Sequence, residues 1–137
     1  MKAKLSTSQT GPNKGVAIYA NQKYTVIRAS VKESTIPGHY VMAIFRYNNT
    51  HILVAGVYGP SDTADGPAAD VFQELNNNMQ ILAETYHVHR IIVAGDFNVN
   101  MKTGRILVKP RTIARIEQLM HDHHLNDIGM HWGGGYT

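Results

Sequence analysis

Apolar residues change their spacing from segment to segment along the chain, and the first half shows strand-like patterns. Residues 15–20 and 24–30 are rich in β-branched and aromatic side chains. The three polar residues Asn21-Gln22-Lys23 between them form a connection short enough for an antiparallel hairpin. The pattern therefore predicts that these two strands pair with each other.

A second hairpin is predicted after the break at Pro37-Gly38. Residues 40–47 and 51–58 form two further β-rich runs around the turn Asn48-Asn49. In the first of these runs both alternating sets of residues are largely apolar, which predicts a strand in the centre of a sheet.

Two later segments show helical spacing instead. Residues 68–86 carry apolar side chains three and four positions apart, and Pro110 suits the first turn of a second helix that runs to about residue 123. The predicted inward-facing residues are Val71, Phe72, Leu75, Met79, Leu82 and Tyr86 in the first helix, and Ile113, Ile116, Leu119 and Met120 in the second. Strand pairs that alternate with single covering helices predict a layered α/β sandwich.

The run Arg-Ile-Ile-Val-Ala-Gly-Asp-Phe-Asn over residues 90–98 carries the most informative candidate chemistry. Its continuous apolar stretch predicts a strand buried on both faces. Gly95 lets the backbone turn so that Asp96 and Asn98 emerge together at the strand's end, where α/β sheets usually place ligands. A carboxylate there can take a proton or hold a divalent cation, and an amide can donate to a phosphate oxygen. The pair suits hydrolysis of a phosphoester, and the alternative is an Asx turn that ends the strand.

Tyr58 ends its own strand just before Gly59-Pro60, so we expect it to meet Asp96 at one edge of the sandwich. A phenol is a good neutral donor to a phosphoryl oxygen. The alternative is an aromatic strand terminus whose hydroxyl contacts water.

The order of these segments resembles the endonuclease/exonuclease/phosphatase (DNase I-like) family, and within it the apurinic-type endonuclease domain of retrotransposons that lack long terminal repeats. The motifs that carry the resemblance are Tyr58-Gly59-Pro60, Gly95-Asp96-Phe97-Asn98 and the closing Tyr136-Thr137. A complete domain of that family has a metal-binding Glu near its start and a catalytic His in a Ser-Asp-His-like loop near its end, and neither matches a position here. We therefore expect a fold incomplete at both ends, with residues 1–13 as a loosely ordered lead-in and residues 14–137 as a partial domain.

The resemblance implies a role for each candidate residue. Asp96 would orient and deprotonate the attacking water, Asn98 would hold a phosphate oxygen and the Asp96 side chain, and Tyr58 would contact the scissile phosphate. Asp96 and Asn98 would also be the ligands of Mg²⁺ or Mn²⁺, a weak site unless a second carboxylate joins them. Ser61 stands where the family often has Asn, which leaves phosphate positioning there open.

Five basic residues and no acidic residue lie between Met101 and Arg115. This segment follows the candidate site and could contact a nucleic-acid backbone, and the alternative is a solvated loop and helix start. The five are Lys102, Arg105, Lys109, Arg111 and Arg115. The cluster His121-Asp122-His123-His124 closes a predicted helix, and adjacent helical positions point in different directions, so we expect no zinc site there.

Composition narrows the function only modestly. The chain has 137 residues, 43% of them hydrophobic and 17% charged, with a net charge of +3. This suits one domain with its own core and permits a polyanionic partner. The chain contains no Cys, which excludes thiolate chemistry. No run of apolar residues predicts a signal peptide or a membrane span, so we expect an intracellular protein.

These observations predict metal-dependent phosphodiester hydrolysis of the endonuclease type, acting on the DNA backbone, with an incomplete active site. A larger polyprotein that includes a reverse transcriptase would be a natural context. The alternatives are a non-catalytic remnant or interaction module that keeps the fold, and a phosphatase of the same fold.

Overall fold

A computed structural model describes residues 15–61, 64–99 and 109–128, together with the backbone of residues 3–6. The described part contains six strands and two helices. In chain order these are β1 (Ala3–Ser6), β2 (Ala17–Ala20), β3 (Thr25–Glu33), β4 (Tyr40–Tyr47), β5 (Thr50–Tyr58), α1 (Asp65–Thr85), β6 (Arg90–Asp96) and α2 (Pro110–Asp122).

Four strands form the main sheet in the order β3-β4-β5-β6. β4 pairs antiparallel with both of its neighbours, whereas β5 and β6 are parallel and are joined through α1. The predicted β4–β5 hairpin is confirmed, and its turn residues Asn48 and Asn49 have φ of 48° and 63°. Asn tolerates this left-handed conformation, which suits a tight hairpin turn. β4 is central and buried over most of its length, as predicted.

Both helices cover one face of the main sheet. Their buried side chains, including Phe72, Met79 and Ile116, join those of β4 and β5 in one core. α1 begins three residues before the predicted helix and α2 matches the prediction closely. The layered α/β architecture is confirmed.

The opposite face of the sheet is covered by a two-stranded hairpin, and here the predicted pairing was wrong. β2 pairs antiparallel with β1 and not with β3. Ile18 of β2 and Val16, the residue just before β2, pack on Val41, Ala43 and Phe45 of β4. The physical reason is that β4 is apolar on both faces. Packing β2 on the face of β4 that the helices leave open buries more apolar surface than adding β2 to the edge of the sheet. β1 lies within the segment for which the sequence predicted a loosely ordered lead-in.

The expectation that β6 is buried on both faces was also wrong. Ile91 and Val93 pack against the core, whereas Ile92 and Ala94 on the other face are exposed. β6 is the last strand of the main sheet, and the β2 side chains contact the sheet at Gly56 of β5, one strand short of it. Parallel strands are apolar on both faces when both faces of the sheet are covered. In the described part of the chain, only the helical face of β6 is covered.

Candidate functional site at the carboxyl ends of β5 and β6

Tyr58 and Asp96, the last residues of β5 and β6, lie side by side. They are register partners in the parallel ladder. The backbone N–H of Gly59 donates to the Asp96 carbonyl oxygen at 2.7 Å, so the pairing continues one residue past the end of β5. The sequence predicted that these two residues would meet because each ends its strand, and parallel strands bring their carboxyl ends to one edge. We call this region the carboxyl corner, defined by Tyr58, Gly59, Pro60, Asp96 and Asn98.

Asn98 stabilises the carboxyl corner through hydrogen bonds from two of its groups. Its backbone N–H donates to Asp96 Oδ1 at 2.9 Å, and its side-chain Nδ2 donates to the Gly59 carbonyl oxygen at 2.6 Å. Asn98 adopts a φ of 54°, a left-handed conformation that Asn accepts more readily than most residues. The Asp96 carboxylate is thus oriented by the Asn98 backbone and not by its amide. The Asx turn considered as the alternative is present, and it coexists with the candidate site.

Two glycines make this close approach possible. A Cβ on Gly59 would collide with the backbone of Phe97, and a Cβ on Gly95 would collide with the backbone of Val57. Gly95 also has a φ of 141°, a conformation that side chains disfavour. Glycine is therefore required in the motifs Tyr58-Gly59-Pro60 and Gly95-Asp96, because any side chain there would collide with the neighbouring backbone.

His39 also lies at this edge, which sequence reasoning missed. Its Nδ1 is 2.9 Å from the Tyr58 carbonyl oxygen, and its own carbonyl accepts the Tyr58 N–H at 2.7 Å. A carbonyl oxygen only accepts hydrogen bonds, so Nδ1 carries the proton and Nε2 is the acceptor when the ring is neutral. The signal was available, because an antiparallel hairpin sets the residue before β4 beside the last residue of β5.

Among the described residues of the predicted basic segment, Lys109 contacts the corner. Lys109 donates from Nζ to the Pro60 carbonyl oxygen at 2.8 Å and is half-buried. Arg111 and Arg115 lie on α2 and are exposed, and the structure shows no contact between them and the corner. Lys102 and Arg105 lie outside the described residues.

Contacts at the first turn of α2 explain how basic residues can lie at the N-terminus of this helix. Asp65, the first residue of α1, accepts the backbone N–H groups of Arg111 and Thr112, both at 2.8 Å. Burial raises the pKa of Asp65, but these N–H groups, the Thr112 hydroxyl and the nearby Arg111 outweigh it and lower that pKa. The helix N-terminus thus has the anion that its dipole favours, supplied from another helix.

The donor set does not fit a complete site for a divalent cation. Within the described ranges, no three side chains of His, Asp or Glu converge in a way that could hold a metal ion. The two predicted ligands give one carboxylate, Asp96, and one amide oxygen, that of Asn98. Mg²⁺ in proteins is usually held by carboxylates together with substrate phosphates and water. In the histidine cluster of residues 121–124, His123 forms a hydrogen bond through Nε2 with Asn76 Oδ1 of α1 at 2.7 Å.

No protein-family model matches the chain, and no curated protein matches it. Among solved structures the chain is similar to a β-hairpin deletion mutant of beta toxin from Staphylococcus aureus, with a TM-score of 0.47 and 17% identity over 88% of this chain and 48% of the toxin chain. A second beta toxin structure from the same organism has a TM-score of 0.38 and 16% identity, covering 65% of this chain and 30% of the other.

The chain thus spans about half the length of the beta toxin chain that it matches better. Both TM-scores lie below 0.5, so neither likeness supports an argument about activity. The retrotransposon-type assignment stays a prediction. No helix in the described ranges is long and apolar enough to cross a membrane.

Proposed function

We propose that the carboxyl corner binds a phosphodiester and belongs to a hydrolytic site of the endonuclease type. One observation carries the proposal. A carboxylate, Asp96, and a phenol, Tyr58, end adjacent parallel strands. The Asn98 amide and the Lys109 ammonium group donate to the carbonyl oxygens of the two residues that follow Tyr58. Phosphodiester hydrolysis needs a base for water and donors for the phosphoryl oxygens, and these groups supply both kinds.

Each residue has a role that follows from its contacts. Asp96 has one oxygen held by the Asn98 N–H, which leaves the second to orient a water and accept its proton. Asn98 Nδ2 has a second N–H beyond the one given to Gly59, and Lys109 Nζ has two beyond the one given to Pro60. These three N–H groups and the Tyr58 hydroxyl can donate to a bound phosphate. Lys109 adds a compact positive charge that favours the anion.

DNA is the substrate that we propose. The net charge of +3 and the basic segment favour a polyanion, and the sequence resemblance points to an endonuclease. With one carboxylate at the corner, Mg²⁺ would be held weakly, and the sequence contains no Ser-Asp-His motif to supply the acid that the resembling family uses for the leaving oxygen. We therefore expect binding of the DNA backbone with slow or undetectable cleavage by this chain.

The test measures binding and cleavage separately on the purified chain. Fluorescence anisotropy with a short labelled DNA duplex reports binding, and nicking of supercoiled plasmid with and without Mg²⁺ reports cleavage. We expect weak binding that Lys109→Ala reduces and that Arg28→Ala, an exposed cation on β3, does not. If the duplex does not bind at low salt, the proposal fails.

Cleavage distinguishes the proposed incomplete site from its alternatives. Robust Mg²⁺-dependent nicking that Asp96→Ala abolishes would show a complete minimal enzyme and overturn the expectation of low activity. Binding without any turnover in Mg²⁺ or Mn²⁺ would favour the non-catalytic interaction module only if Lys109→Ala left that binding unchanged, because the incomplete site is itself expected to cleave slowly or not at all. Turnover of a phosphate monoester in place of DNA would favour the phosphatase.

A further inference from the structure

The outer edge of β6 is open among the described residues, and its backbone polar groups can be assigned. The Gly59 N–H bonds to the Asp96 carbonyl and the Tyr58 N–H bonds to the His39 carbonyl. Because backbone groups alternate in direction along a strand, the even-numbered residues of β6 face β5. The N–H and C=O groups of Ile91, Val93 and Gly95 therefore point to the open edge. Such an edge is a template for another strand.

The sequence of β6 is complementary to itself when read in the opposite direction. Arg-Ile-Ile-Val-Ala-Gly-Asp has a cation at its first residue, an anion at its last and an apolar middle. An antiparallel copy centred on Val93 sets Arg90 opposite Asp96 and Ile92 opposite Ala94. A parallel copy in register would instead set Arg90 beside Arg90, which is unfavourable.

We propose that β6 is a self-association surface, and that its occupant is β6 of a second copy of this chain, antiparallel about Val93. The two copies would join their four-stranded sheets into one continuous sheet with twofold symmetry. Val93 would exchange both hydrogen bonds with its counterpart, and Ile91 would pair with Gly95 of the other copy. The pairs Arg90–Asp96 and Ile92–Ala94 then fall at the non-hydrogen-bonded sites, where side chains are closest.

The exposed face of β6 supports the same partner. Ile92 is 52% exposed, which is unusual for a large apolar side chain in a strand, and Ala94 and Asp96 beside it are exposed too. In the proposed pairing each Ile92 covers Ala94 of the other copy, and each Arg90 meets an oppositely charged Asp96. A contact of one strand pair is small, so the dimer should be weak and concentration-dependent.

The first experiment is sedimentation equilibrium of the full chain over a range of concentrations, with two matched variants. Ile92→Lys places a charge in the proposed contact, and Ile81→Lys changes a residue that is also 52% exposed but lies on α1. We expect a monomer–dimer equilibrium for the parent chain, at least about a tenfold weaker dimer for Ile92→Lys, and no change for Ile81→Lys. A parent chain that stays monomeric at every concentration, or equal effects of both variants, overturns the proposal.

A charge exchange tests the orientation. Arg90→Asp alone sets two acidic residues opposite each other and should weaken the dimer, and adding Asp96→Arg should restore it. Crosslinking tests the register, since the chain has no native Cys. Oxidation of a mixture of the Ile92→Cys and Ala94→Cys variants should give the mixed disulfide in preference to either symmetric one. Failure of the exchange to restore the dimer, or a preference for the symmetric crosslinks, would show that the copies meet elsewhere or in another register.

Discussion

At the scale of single residues, a few polar side chains fasten segments that are distant in the sequence. Asp65 begins α1 and yet bonds the first N–H groups of α2. Glu74 of α1 accepts from the Tyr40 hydroxyl at 2.5 Å and from the Thr35 N–H at 2.9 Å. Each carboxylate therefore ties α1 to another element, and replacing it should have a cost beyond that of an ordinary surface change.

Asp65→Ala should destabilise the chain by about 1–2 kcal/mol, the cost typical of losing a helix cap. The reason is that Lys109, the residue before α2, makes no side-chain cap of its own. Urea denaturation followed by circular dichroism would measure the change. The matched control is Asp70→Ala, an exposed residue of the same helix, which should change the free energy of unfolding by less than about 0.5 kcal/mol.

The pH dependence of stability should carry the signature of Glu74. Burial raises the pKa of Glu74, but the hydrogen bonds from Tyr40 and Thr35 outweigh it and lower that pKa below its ordinary value. A carboxyl group whose pKa is lower in the folded state stabilises the fold above its unfolded pKa of about 4.3, and this stability is lost as the pH falls further.

Glu74→Gln should therefore cost about 1 kcal/mol at neutral pH, and the difference from the parent chain should shrink below about pH 4. Urea midpoints measured from pH 7 down to pH 3 would show this convergence. Glu84→Gln, an exposed substitution near the end of α1, should leave the profile unchanged. A Glu74→Gln difference that stays constant with pH would mean that ionisation of Glu74 has no part in the effect.

At the scale of elements, the sequence identified most strands and helices but not all of their partners. The spacing of apolar residues predicted α1, α2 and the β4–β5 hairpin because that information is local. It did not predict that β2 pairs with β1 or that one face of β6 is exposed, because those outcomes depend on which distant surface needs cover. Asp96 and Tyr58 were correctly expected to meet because each ends its strand. The contact of His39 with Tyr58 was missed, although the register of the predicted β4–β5 hairpin implies it.

The packing of β2 on the main sheet can be tested at Gly56. A Cβ at this position would lie 2.8 Å from Val16 Cγ1, so Gly56→Ala should push the β1–β2 hairpin outward and cost about 1–3 kcal/mol. The matched control is Gly66→Ala in α1, where the nearest atom is the flexible Arg111 Nη1 at 3.1 Å. A helical Gly→Ala change should be neutral or stabilising by up to about 1 kcal/mol. Equal destabilisation by both would argue against tight packing of the hairpin.

At the scale of the whole molecule, the net charge of +3 is too small to predict nucleic-acid binding alone, so the placement of the cations decides. Lys109 is fixed at the carboxyl corner, and Arg111 follows it on the first turn of α2. If both contact the DNA backbone, binding should be weak and insensitive to sequence, because phosphate contacts carry no base information.

Salt dependence counts such contacts, since each phosphate neutralised contributes about 0.9 to the slope of log affinity against log salt concentration for duplex DNA. The double variant Lys109→Ala/Arg111→Ala should therefore flatten the slope by roughly 2. The matched double variant Arg28→Ala/Lys32→Ala removes the same charge from exposed positions of β3 and should leave the slope unchanged, although it lowers the net charge equally. If both double variants flatten the slope alike, binding responds to overall charge and not to the carboxyl corner. In that case Lys109 and Arg111 have no specific part in the proposed site.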